Sequence, residues 1–479
     1  MGGSRTMRRR RVCAATRALR GELVKAKTAF VVGVVGLTMV AACSSSKKAT
    51  TTPTTGTATG SSTTSSGGSS TTSGSTNPTL PPNTPLPPVS GNTTTGVTPT
   101  EIKVGAVLYK AFYADAAVGF QARVKRENDA GGINGRKIVL STVVDDNQTA
   151  DTDLSAAKTL VQQDGVFAVV PVMTAAFGGA DYLNGAKVPF FGWSIEPRWC
   201  GLNWGFGFEG NDCDQATLPA IGDFAAVAAK VFPDGQVAGK AIALTSEDND
   251  SARAAVNNFA KVWEHDGAKV VLVDTSIPSP PAVVGDYTPF AQKIMSSNNG
   301  GPPDYVEMVN SVSDTIGLYK KLAQLGYKGV AQGFTNYDPR LLGTTKGLVS
   351  EIQFAPYEDA GNIPSIQQMI TDLKALQPNI VLGQAAAAGY WTADFFIQAL
   401  KKAGPNLSRE ALYNAINGGM TYNAGGALIP VQWPLAHKYL NVGLVFVQDE
   451  GDHFAVPIHL TPLQLIPNPG YTGKPTSSG

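Results

Sequence analysis

Histidine and cysteine are scarce, four of each in 479 residues. The histidines (His265, His437, His453 and His459) are scattered. There is no HxxxH pair and no cysteine–histidine cluster, so no metal site is expected. A Walker loop and a GxSxG elbow are also missing. Carboxylates are plentiful, but no spacing sets two of them as acid and base. No catalytic residue and no cofactor are therefore expected. Charge is sparse too: Asp, Glu, Lys and Arg make up only 16% of the chain, low for a cytosolic enzyme and suited to a soluble exported protein.

The apolar share of 43% is ample for a large core, and the length allows two or three domains. A formal charge of +1 hides an asymmetry. The first 42 residues hold nine Lys or Arg and one acid, a charge of +8, which leaves −7 on the remainder. A mildly acidic body repels polyanions, so no nucleic-acid partner is expected.

Residues 1–28 are basic, and Ala29 to Ala42 (AFVVGVVGLTMVAA) are apolar and uncharged. That run is too short to span a bilayer as a stable helix but suits a signal-peptide core, so residues 1–42 read as a signal peptide. It ends in Val40-Ala41-Ala42-Cys43, which looks like a bacterial lipobox, in which small residues fit the signal peptidase and the cysteine is acylated. Cys43 is thus the expected lipidation site. Two or more acyl chains would hold the protein stably on the outer face of a membrane. From Ser44 to about Pro99 the chain is Ser, Thr, Gly and Pro with almost nothing apolar. Residues 43–99 therefore read as a lipidated, disordered tether, spanning about 40 Å as a flexible coil, with a stiffer stretch at Pro78–Pro88. Cys200 and Cys213 remain as a possible disulfide in an oxidising compartment, worth about 3 kcal/mol in the chain-entropy model, or as two separate buried thiols.

Strand and helix patterns alternate from Glu101 onward. Expected strands are 102–108, 137–144, 166–170 and 188–192, then 240–244, 269–273, 305–309 and 329–333. Expected helices include 115–130 (capped by Asp115), 151–164, 218–231, 250–266, 287–297 and 314–325. The glycine-rich Gly131–Gly135 follows a helix and reads as its C-cap and turn. Such alternation implies parallel sheets with right-handed crossovers, and the irregular stretch 199–214 separates two similar lobes.

The segments EIKVG (101–105), NDAGGINGR (128–136) and VDD (144–146) come in succession. With Leu160-Val161, Asp164, Val166 and Val188-Pro189, they resemble the branched-chain amino-acid-type family of type I periplasmic binding proteins. The likeness runs from about Glu101 to Pro462 and is most specific at its start. The fold this resemblance implies is α/β: two doubly wound parallel-sheet lobes joined by a three-strand hinge, with ligand in the cleft between them. Lobe 1 would comprise 100–220 and 350–435, lobe 2 would comprise 221–349 and 436–465, and 466–479 would be a flexible tail. The open-sheet rule agrees, since ligands sit beyond the carboxyl ends of the strands.

Ligand contacts carry over by position. Thr174 falls where the family places a hydroxyl for a ligand carboxylate, or else caps a helix. Trp193, Ser194 and Ile195 follow the next strand, Trp193 being either a stacking wall or a rim residue. Phe112 and Tyr113 lie on the first βα loop. In the second lobe Asp250 stands where an aromatic is frequent, and either caps its helix or faces the ligand. Ser311 is near another such aromatic position. Thr335 and Asn336 occupy the place of the acid that meets the ligand ammonium in amino-acid binders, which weakens an amino-acid assignment. The function implied is an extracytoplasmic receptor delivering an amino acid, amide or organic acid to an ABC permease. A sensory ectodomain and a non-transport envelope protein are the alternatives.

Overall fold

The computed structural model describes residues 78–334, 336–439 and 443–474. The signal-peptide and Cys43 expectations lie outside the described residues.

The first lobe is built on β1 (Glu101–Leu108), β2 (Lys137–Asp145), β3 (Ala168–Met173), β4 (Phe190–Gly192) and β5 (Gly205–Gly207). All four pairings are parallel, in the order β2-β1-β3-β4-β5. Near-continuous apolar runs make such strands, because both faces are covered. Between them lie α1 (Lys110–Asp129), α2 (Ala150–Gln162) and α3 (Ala180–Gly185). Helix α1 starts five residues before the expected cap at Asp115, with Tyr109 as N-cap and a local break from helical geometry at Tyr113.

The chain then crosses to the second lobe. Where one helix was expected over 218–231, there is a strand β6 (Ala220–Gly222) followed by α4 (Phe224–Ala228) and a 3₁₀ turn. The second lobe continues through β7 (Ala241–Glu247), α5 (Asp250–His265), β8 (Lys269–Ile277), α6 (Thr288–Met295), β9 (Tyr305–Val309), α7 (Val312–Gln324), β10 (Val330–Phe334) and β11 (Val349–Ile352). The chain returns to lobe 1 as α8 (Pro364–Leu376), α9 (Gln384–Ala403) and α10 (Arg409–Asn417), with a short ladder of β12 (Thr421–Tyr422) and β13 (Val431–Gln432). It crosses back as β14 (Gly443–Asp449) and β15 (Phe454–Pro462), and ends in β16 (Leu465–Pro467).

The second sheet has the order β15-β14-β11-β10-β9-β7-β8. Its first five strands in chain order repeat the topology of lobe 1, but β14 and β15 are antiparallel. The sheet is therefore mixed rather than wholly parallel.

Two other expectations are corrected. Residues 78–99 are an ordered strap on lobe 1, not part of a disordered tether. Asn414 holds Val89 by two hydrogen bonds (2.8 and 2.9 Å), Glu410 holds Thr93 by two more (2.8 and 2.7 Å), and Leu86 and Val89 pack on the core. Polar composition misled because side chains on α10, over 300 residues away, satisfy the strap backbone. Residues 466–474 are no flexible tail either: β16 pairs with β6, and Thr472 N–H donates to Ala216 O.

Helix α9 is buried on nearly every side, which fits its apolar sequence QAAAAGYWTADFFIQALKKA. It meets α1 at close range. A Cβ on Gly119 would fall 2.0 Å from Ala386 O, and one on Gly389 2.0 Å from Ala116 O. Only glycine permits that approach, and this offsets its low helix propensity.

Candidate functional site

Between the lobes lies a cavity of about 310 Å³, within the size range of small-molecule sites. Its wall is assembled from the carboxyl ends of strands on both sheets and from the loops and helix starts that follow them. Lobe 1 contributes Phe112 and Tyr113 after β1, Gln148 after β2, Ala175 after β3, Ser194 and Ile195 after β4, and Glu209 after β5. Lobe 2 contributes Glu247 at the end of β7, Asn310 and Ser311 after β9, and Asn336, Asp338 and Arg340 after β10.

Of the residues singled out from sequence, Phe112, Tyr113, Ser194, Ile195, Ser311 and Asn336 line this cavity. Thr335 lies outside the described residues. Ser194 Oγ accepts from Asp212 N–H (2.7 Å) and so anchors the neighbouring acidic loop. Ser311 caps α7, and its backbone N–H donates to Glu247 (2.7 Å).

Three of them do not reach the cavity. Thr174 is 1% exposed; its hydroxyl accepts from Ala176 N–H and binds the Asp146 carboxylate, and the cap of α3 is Gly179. Trp193 lies behind the wall, not in it. Its ring stands edge-on to Tyr113 at 6.3 Å, and its indole N–H donates to Glu209 (2.7 Å). Asp250 points outward and pairs with Arg253, and Asn249 is the residue that caps α5. The expected stacking wall, carboxylate clamp and substitute acid are thus replaced by support roles. Geometry explains each: Thr174 and Trp193 turn into the interior of their own lobe, and Asp250, in the first turn of α5, turns out to solvent.

Sequence reasoning missed the acids. Glu247 was hidden because β7 runs three residues past its expected end, and every residue of that strand is buried. Burial pushes the Glu247 carboxyl up to about 7 against the opposing Ser311 N–H, with Asp314 adding to the rise. Glu209, buried and bonded to Trp193, is pushed up to about 8 by desolvation. Burial likewise raises Asp212. Among the described residues Arg340 is the one cation in the wall, and Asp338 grips it with two bonds of 2.8 Å. Several wall atoms lack a hydrogen-bond partner: Asn310 Oδ1 and Nδ2, Asn336 Oδ1 and Glu209 Oε2. Cys200 and Cys213 are joined by a disulfide, and Cys213 sits in the wall beside Asp212.

Paired doubly wound lobes meeting across such a cavity define a two-lobed α/β binding protein. The family model of periplasmic binding proteins matches residues 105–448, and the chain belongs to that family. No curated protein is a sequence match. Solved structures agree in fold. A fatty acid ABC transporter substrate-binding protein from Thermomonospora curvata superposes with a TM-score of 0.63 at 17% identity, covering 77% of this chain and 94% of that one. A solute-binding protein from R. palustris in complex with benzoate gives 0.60 at 15%, covering 76% and 97%. The branched-chain amino acid substrate-binding protein of Streptococcus pneumoniae, in complex with isoleucine, gives 0.59 at 16%, covering 76% and 100%.

Proposed function

We propose that the chain is an extracytoplasmic solute-binding lipoprotein, acylated at Cys43, that closes its lobes on a small molecule and delivers it to an ABC permease. The ligand head is cationic or rich in hydrogen-bond donors: an amino acid, amine or amide. The observation that carries this reading is the interlobe cavity, whose wall comes from strand ends of both lobes. A ligand touching both lobes favours the closed form by its differential affinity, and a permease can read that form.

The head chemistry is argued from this chain, because the ligands of its relatives differ in polarity. Glu209, Asp212 and Glu247 face the cavity, and the charge of Arg340 is already neutralised by Asp338. An ammonium beside Glu247 would restore its ionised form, since an opposite charge offsets the burial that raises its pKa. The unpartnered amide oxygens of Asn310 and Asn336 take a donor, and Asn310 Nδ2 takes an acceptor on the same head, a combination that an amide or amino acid supplies. A buried polar atom left without a bond costs about 1–3 kcal/mol, which a donor would recover. A bare carboxylate would meet acids instead. Among organic acids, those with an amine or amide group fit best.

The test is a thermal-shift screen against amino acids, primary amines, amides and simple carboxylates. Ligand at roughly 1,000 times its dissociation constant adds about 4 kcal/mol, enough for several degrees. Shifts with the donor-headed classes are expected. Silence throughout, or shifts with simple carboxylates alone, would overturn the assignment.

A further inference from the structure

The cavity does not stop at the polar cleft. It continues into lobe 2 between one face of the second sheet and α5. Strand register puts Val309, Phe334 and Glu351 on the same face, with Leu444 two residues along from the partner of Glu351. Facing them, α5 presents Ala252 and Ala255, one turn apart, and then Phe259. Ile221 and Leu463, from the crossing segments, close the side.

The sequence of α5 makes this space. Near the cleft the cavity is lined on α5 by the small Ala252 and Ala255, while Val256, between them and Phe259, is fully packed in the core. A turn further on, Phe259 packs against Phe334 (5.3 Å between ring centres) and Phe224 (4.8 Å), and Trp263 packs against Tyr305 (5.1 Å). The alanines leave an opening and the aromatics floor it. Sheet and helix surfaces this apolar normally interdigitate to crystal-like density. Here Val309 and Phe334 on the sheet and Ala255 on α5 stay only partly buried, and all three line the cavity. The acid on this wall, Glu351, accepts from Gln332 (2.8 Å) and is held neutral by burial, its carboxyl pushed up to about 8.

We propose that this arm takes the hydrocarbon tail of an amphipathic ligand whose polar head sits among Glu247, Asn310 and Asn336. The proposal rests on the cleft being the ligand site, and adds the tail as the second half of the ligand. A single narrow chain is the occupant, because the arm lies inside one lobe between a sheet and a helix. Its polar mouth opens at Asn249, Asn310 and Ser311, so the tail enters behind a head fixed there.

Straight-chain primary amines from two to ten carbons, titrated calorimetrically into the purified protein, test the arm. Each methylene that enters should tighten binding about fourfold until the arm is full. Ala255→Phe should remove that gain, so that long and short amines bind alike. Glu247→Gln should weaken every chain length by a similar factor and leave the gain per methylene in place. Binding of short amines with no gain on lengthening overturns the arm and leaves the head assignment standing. A gain with alkanoates of the same lengths, but not with amines, keeps the arm and overturns the head. No binding by either series overturns both.

Discussion

Two carboxyls inside lobe 2, Glu307 and Glu351, hold protons that ordinary glutamates lose. Burial pushes Glu307 up to about 7, against the bond it accepts from the Trp263 indole, and Glu351 up to about 8. Between pH 4.5 and those values the unfolded chain ionises while the folded one stays neutral. Folding stability therefore falls as pH rises through that window, by up to about 1.4 kcal/mol per pH unit for each group. Glu351→Gln mimics the protonated form and should flatten the decline in melting temperature between pH 5 and pH 8. An unchanged slope in that variant would mean that Glu351 is ionised in the folded protein. At the cleft, the position of a residue after a strand was legible in the sequence, but the direction of its side chain was not. Ser194, Ser311 and Asn336 line the cavity, whereas Thr174, Trp193 and Asp250 turn away. Direction depends on where each strand ends, and β7 ends three residues later than its Ala-Ile-Ala-Leu core indicates.

The strap and α10 show an element held by distant partners. Glu410 lies in the first turn of α10; against partial burial, the bonds from Thr93 hold its carboxyl below the usual range. Glu410→Ala removes two charge-assisted bonds to the strap and should cost about 2–3 kcal/mol in urea unfolding. It should also open residues 78–99 to protease. A variant as stable and as resistant as the wild type would show that the strap is held by its apolar contacts alone. Local alternation revealed β1–β4 and β7–β10 with the helices among them, because each buries its own apolar pattern, but β5, β11, β14 and helices α8–α10 were not assigned. It failed at the strap, at β6 and at β16, whose pairing joins Ile221 to Ile466 across more than 200 residues. Pieces this short carry no periodicity of their own.

At the scale of the molecule, the same strand order occurs twice, and the carboxyl ends of both sheets face one cavity. The chain passes between the lobes at three places: before α4, after β11 and before β14. Multiple crossings constrain relative motion to hinge closure, which in the proposed function couples ligand capture to recognition by a permease. The disulfide, α9 and the strap all stiffen lobe 1. Lobe 2 carries the proposed apolar arm and the cleft-lining Asn310 and Asn336.

The most direct test of this arrangement sets one acid in each lobe against the strongest binder from the donor-headed panel. Affinity is measured by calorimetry for the wild type, Glu209→Gln in lobe 1, Glu247→Gln in lobe 2 and Asp250→Ala as a solvent-facing control. Each cleft substitution is expected to weaken binding about tenfold or more, the loss of one hydrogen bond to a charged group, while Asp250→Ala binds like the wild type. Full affinity in both cleft variants, or a loss confined to Asp250→Ala, would contradict a ligand held between the lobes at these acids.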